Sequence, residues 1–260
     1  MLDETFIKAF MAHRRTGDLF HKGDREAHEV FQVATISALL ERVYDGRTTV
    51  GELAKHGDFG LGTFNALDGE MTVVDGVFYQ CRSDGRAYIA EPSAETPFSV
   101  VMRFDPTVAI AIDEAMDYAA LSHALDNAVP SRNIFYAVRV DGVFDRVKVR
   151  AVPRQEKPYR PISEIVHDQP VFEHTDIEGS FVGFRFPDYT VGLNAPGYHL
   201  HFVSADRSVG GHVLEFSTRK AEVDIDITSD FHMELPEAGD FMDAELVHDD
   251  NAAAIDAIEK

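Results

Sequence analysis

Between Gly197 and Phe216 the chain reads Gly-Tyr-His-Leu-His-Phe-Val-Ser-Ala-Asp-Arg-Ser-Val-Gly-Gly-His-Val-Leu-Glu-Phe. This stretch restricts the fold more than any other. Tyr198 to Ser204 alternates with the period of a strand, Gly211 to Thr218 alternates again, and the polar run Ala205 to Gly210 between them ends in a glycine pair. That is the composition of a hairpin. Strand side chains repeat every second residue, so His199 and His201 leave one face while Leu200 and Phe202 leave the other. His212 opens the returning strand and can be brought beside them. Three imidazoles on one hairpin are metal ligands of the right type, and three protein ligands leave positions open for water or substrate. Paired surface histidines would produce the same pattern, and imidazole suits zinc, iron, nickel and copper alike.

Charge and cysteine content narrow the setting. The 260 residues are enough for one large domain or two smaller ones, and a formal charge of -21 argues against a nucleic-acid partner, whose phosphates would be repelled. An anionic substrate would need a local positive charge. The single cysteine, Cys81, excludes an internal disulfide and, lying in an apolar alternating run, reads as a core or sheet residue. No basic, apolar leader opens the chain and no run approaches 18 apolar residues, so a cytoplasmic protein is expected.

The strongly charged residues 1–27 read as a loosely held arm. Thr35 to Tyr44 reads as helix, ended by Asp45-Gly46. His56 to Asn65 holds three glycines in six positions; no third dinucleotide-motif glycine or helical pattern follows, so these glycines serve close backbone approach. Met71 to Cys81 is a hairpin about Asp75-Gly76, and Phe98 to Phe104 a strand. Val108 to Ala128 carries the strongest helical spacing, ended by Pro130. Ile134–Val140 and Phe144–Val152 read as a hairpin about Asp141-Gly142, with Arg146, Lys148 and Arg150 striping one face of a solvated edge strand. The proline-rich segment 153–170 is the expected junction between an N-terminal half (28–155) and a C-terminal, β-rich half (156–260). Asp250 to Lys260 has the composition of a helix. Together these predict an α+β fold of mixed and antiparallel sheets with few helices and a metal site on a C-terminal hairpin.

By this point the motifs support a family resemblance. Thr35-Ile36-Ser37-Ala38-Leu39-Leu40, His56 through Glu70, Asp75 through Gln80, Val147 through Gln155, Tyr198 through Phe202 and His212 together resemble alpha-acetolactate decarboxylase. The likeness runs from about residue 30 to residue 235. It implies a zinc enzyme, typically a homodimer, converting 2-acetolactate to acetoin and carbon dioxide. The implied metal ligands are His199, His201 and His212. Glu70 and Arg150 become the acid/base and carboxylate-handling groups, with Thr63 nearby. The family also uses a glutamate from the C-terminal tail, and Glu259 is the candidate, although the tail carries little motif and also reads as a frayed terminus.

The chemistry needs such residues. Loss of carbon dioxide pushes an electron pair toward the ketone, and a dication chelated by the ketone and hydroxyl oxygens would stabilise the resulting enediolate. Glu70, raised in pKa by a dry pocket, would protonate it on carbon; read without the resemblance, Glu70 is a polar residue leaving a turn. Arg150 offers a charged fork to the substrate carboxylate. Two alternatives compete. A cupin-like oxygenase or isomerase would add a carboxylate ligand, for which Asp206 and Glu215 are poorly spaced. A non-catalytic metal-binding module would close the site with a fourth ligand.

Overall fold

Alternating β-branched and aromatic residues, punctuated by Asp-Gly and Gly-Gly turns, make strands the dominant element. The computed structural model describes residues 28–247 and 251–259; the expected arm, residues 1–27, lies outside them. Strand β1 (Val30–Val33) enters helix α1 (Ile36–Leu40), and β2 (Thr48–Thr49) enters α2 (Val50–His56). There follow β3 (Phe59–Thr63), β4 (Glu70–Val74), β5 (Val77–Cys81), β6 (Ala87–Ile89), β7 (Glu95–Thr96), β8 (Ser99–Met102) and β9 (Val108–Ile112). Helix α3 (Tyr118–Ala128), strand β10 (Phe135–Arg150) and helix α4 (Ile162–Ile165) lead into β11 (Val171–Phe186), β12 (Gly197–Ser204), β13 (Gly210–Thr228) and β14 (Phe231–Glu234). Helix α5 (Asn251–Glu259) is the last described element.

One sheet has seven strands in the order β14-β1-β8-β3-β4-β5-β6, antiparallel except for the parallel pair β1–β14. The second, β10-β11-β12-β13-β9, closes on itself because β10 bonds β11 on one flank and β13 on the other. Closure removes edges at which the strands could slip. Its interior holds Phe144, Phe181, Phe202 and Phe216, with centroids 4.3 Å apart for Phe144–Phe181 and 4.6 Å for Phe181–Phe216. Such pairs add about 0.5–1.5 kcal/mol each beyond their buried area. This is an α+β protein with few helices, as its pattern predicts.

Three local readings differ from the structure. Helix α1 stops at Leu40, not Tyr44. Arg42 takes a left-handed φ of 66° and the Val43 amide returns to the Ala38 carbonyl at 2.9 Å, closing the helix early. Val108–Ile112 is a strand, its buried Val108, Ile110 and Ile112 alternating along β9, which pairs with β13. Helix begins only where the Asp117 side chain caps the Ala120 amide at 2.8 Å. Asp141-Gly142 is no turn, since β10 runs straight through it. A Cβ on Gly142 would stand 2.5 Å from the Lys220 carbonyl, so glycine permits strand-to-strand approach here. Ser180 and Arg139 donate to the Asp141 carboxylate, each at 2.6 Å. Consequently β10 is central, not an edge strand.

Gly183 in β11 faces Leu200 of β12, beside two of the expected ligands. A Cβ there would lie 2.0 Å from the His199 carbonyl, a backbone atom locked in the sheet. Overpacking of this kind costs about 1–3 kcal/mol. Gly183→Ala should therefore lower the thermal midpoint by roughly 5 °C or more. A melt unchanged from the parent would show that β12 can shift.

Candidate active site

The hairpin β12–β13 sets the geometry. His201 pairs with His212 across it, and His212 pairs on its other flank with Arg150 of β10. In that register Lys148 faces Glu215 and Val149 faces Val213, which leaves Leu214 as an extra residue of β13. Bulges of this kind re-aim neighbouring side chains. Leu200 and Phe202 point into the aromatic interior, whereas His199, His201 and His212 are buried together on the opposite side.

His199 Nε2 lies 3.2 Å from His201 Nε2 and 3.2 Å from His212 Nδ1. The outward nitrogens are engaged elsewhere. His201 Nδ1 donates to the Met71 carbonyl at 2.7 Å, and His212 Nε2 donates to the Glu259 carbonyl at 3.0 Å. A carbonyl only accepts, so these bonds put the protons outside and the lone pairs inside. His199 Nδ1 faces the Glu259 carboxylate at 3.3 Å, which favours the same arrangement. Burial holds the rings neutral, His201 down to about 4 and the other two well below the ordinary value, with the Arg150 charge assisting.

Three inward lone pairs this close repel unless a cation lies between them. Ligands about 2.0–2.1 Å from a tetrahedral centre stand roughly 3.3 Å apart, close to the 3.2 Å of the two separations from His199, and all three nitrogens lie within 4.8 Å of one another. The cluster could therefore hold a metal ion, its outer hydrogen bonds fixing tautomer and ring angle.

Glu70 begins β4, with Oε2 3.7 Å from His201 Nε2. Burial pushes its carboxyl up to about 7 against the pull of Arg150. Glu259 is the last residue of α5; burial pushes it up to about 8, again opposed by Arg150. Arg150 donates to the Ile258 carbonyl, while its Nε–H has no hydrogen-bond partner among the described residues. The final carbonyls of a helix have no partner within it, so Arg150 and His212 cap α5. Thr63 donates to the Gly69 carbonyl at 2.8 Å and holds the turn leading to Glu70.

All seven residues singled out in the sequence line one cavity of about 60 Å³, with apolar walls from Leu39, Leu67, Phe98, Val152 and Ile162. The cavity also exposes Gln169, which the sequence reading passes over inside the proline-rich segment. A larger hollow of about 890 Å³, bordered by Arg47, Lys55, His56 and Lys157, lies away from the imidazoles. Asp206 is bound by Ser204 and Ser208, and Glu215 by Arg146 and Lys148, so neither carboxylate serves the cluster.

Fold and site together define the class: an α+β protein whose buried imidazole cluster, beside one guanidinium and two carboxyl groups, could hold a metal ion. Sequence comparison makes the class particular. The chain belongs to the alpha-acetolactate decarboxylase family, whose profile matches residues 30–248. It is 56% identical to the alpha-acetolactate decarboxylase of Methylococcus capsulatus over 98% of both chains. It is 49% identical to that of Methanosarcina mazei, over 84% of this chain and 75% of the relative. The crystal structure of alpha-acetolactate decarboxylase from Bacillus subtilis superposes with a TM-score of 0.87 at 41% identity, covering 89% of this chain and 99% of that one.

Arg150 joins β10 to α5, and a hydrogen bond to a charged group contributes about 1.5–3 kcal/mol. Arg150→Met should therefore speed hydrogen exchange across α5 by about tenfold or more. Unchanged protection would mean that the buried Ile255 and Ile258 hold the helix unaided.

Proposed function

We propose that this enzyme decarboxylates 2-acetolactate to acetoin, with Zn2+ held by His199, His201 and His212. Three inward-facing, unprotonated ring nitrogens in a cavity shared with Arg150, Glu70 and Glu259 carry the reading. Bound there, the dication would act as a Lewis acid toward the negative charge that builds on the substrate's oxygens.

The chain's own groups divide the remaining work. Arg150 offers its unpartnered Nε–H to the substrate carboxylate. One edge contact orients that group, whereas a tight bidentate clamp would stabilise the ground state and slow its departure. The apolar walls receive the two methyl groups and exclude water. When the carbon–carbon bond breaks, its electron pair passes to the ketone and carbon dioxide leaves, giving an enediolate. Glu70, whose carboxyl burial raises to about 7 so that it can hold a proton near neutral pH, delivers that proton to carbon and yields acetoin. Glu259, beside His199 where Glu70 is beside His201, is a second carboxyl able to hold a proton. Thr63 keeps Glu70 in place through the Gly69 turn.

The same reading takes the working form as a cytoplasmic homodimer that binds a small anion and no nucleic acid. The charge of -21 supports the last point.

Racemic 2-acetolactate incubated with as-isolated, chelator-stripped and zinc-restored protein tests the reading directly. Acetoin should form, vanish on stripping and return with zinc; none from a folded, zinc-loaded sample would sink the proposal. Glu70→Gln should keep its zinc and lose about 10²–10⁴-fold in kcat. His201→Ala should lose both metal and turnover, as metal analysis beside the rate assay would record.

A further inference from the structure

Gln169 is the residue whose chemistry nothing above uses. Among the polar side chains of the cavity, those of Thr63, His201 and His212 have donors spent on carbonyls, and Arg150 spends one of its N–H groups on the Ile258 carbonyl while its Nε–H stays free among the described residues. Gln169 is buried, 9% exposed as a residue, and its side chain forms no hydrogen bond with any described residue; its Oε1 is covered and without a partner. An unsatisfied buried amide oxygen is destabilising, and few persist in folded proteins without a reason.

Its position is tightly set. Gln169 follows the short 3-10 turn Val166–Asp168 and precedes Pro170, which confines it to extended backbone (φ -69°, ψ 132°). Two residues later Val171 pairs with Arg150 in the β10–β11 ladder. The backbone of Gln169 is thus fixed two residues from the Val171–Arg150 pair, and the residue borders the cavity that Arg150 also lines. A primary amide offers one donor and one acceptor side by side. An α-hydroxy carboxylate offers the complementary pair, a hydroxyl donor beside a carboxylate acceptor.

We propose that Gln169 is a substrate-contacting specificity residue, its amide reading the adjacent hydroxyl and carboxylate of a 2-hydroxy acid beside Arg150. The inference rests on the decarboxylase reading for its reaction, but it concerns binding and is tested through binding as well as rate. Recognition by Gln169 distinguishes a 2-hydroxy-3-keto acid from a 3-keto acid of equal size that lacks the hydroxyl.

The test compares wild type with Gln169→Leu, which keeps the volume and removes both polar atoms, and with Gln169→Asn, which keeps the amide and shortens its reach. Zinc content and thermal midpoint are measured first. Gln169→Leu should melt at or above the wild-type temperature, since the unsatisfied oxygen is gone. It should lose roughly 10- to 100-fold in kcat/KM, mainly through KM. Calorimetry with 2-hydroxyisobutyrate, an α-hydroxy carboxylate with no ketone, should show a comparable loss of affinity, and Gln169→Asn should fall between. Affinity and kcat/KM within about twofold of wild type in zinc-loaded Gln169→Leu would overturn the inference. So would a fall in melting temperature with binding unchanged, which marks a structural role. Wild type that binds 2-hydroxyisobutyrate through Gln169 yet forms no acetoin would refute the decarboxylase reading alone.

Discussion

The position of His212 is the constraint on which the rest of the site depends. It pairs with His201 on one flank and with Arg150 on the other, so the imidazole cluster and the guanidinium share one register. A one-residue slip would send every side chain on a strand to the opposite face. The closed pairing of β10, β11, β12 and β13 and the phenylalanine packing within it prevent that slip. The outward nitrogens then anchor the rings to two pieces of structure outside the ring of strands, the Met71 carbonyl of the seven-stranded sheet and the Glu259 carbonyl of α5. The cluster is therefore complete only when both sheets and the last helix are in place.

Electrostatics follow from that assembly. Two carboxylates against one guanidinium would leave the cavity with a single negative charge, at a burial where such charge is costly. Both acids answer by rising toward neutrality. With both acids ionised, a dication held by the imidazoles would turn that single negative charge into a single positive one, which a monoanion would neutralise. Because the pocket is buried, these charges act on one another with little screening, whereas the exposed acids behind the -21 total are damped within about 8–10 Å. An acidic protein can in this way present a cationic pocket to an anion.

How much of this the sequence discloses depends on whether a signal is local. The β12–β13 hairpin and the Asp75-Gly76 turn announce themselves through alternation and turn residues, and both form where expected. Asp141-Gly142 carries the same turn chemistry but lies within β10, because partners on both flanks hold it extended and Gly142 is needed for close approach. Such partners are invisible in the local sequence. Val108–Ile112 fits helix and strand spacing equally until pairing with β13 decides it. Gln169 gives no signal at all: its interest comes from lacking partners inside a cavity whose walls are drawn from distant segments.

Glu259 shows the same limit from the other side. An alanine-rich terminal segment predicts a helix but not where it lands. Every helix ends in carbonyls that need donors, and in α5 those donors are Arg150 and His212, the groups that also order the cavity. Capping the helix and completing the site are thus one event. Whatever stabilises the oriented imidazoles also holds α5, and whatever frees α5 loosens the ring of His212. Linkage of this kind runs equally in both directions. The tail is in effect a wall of the pocket, fastened by the residues it encloses.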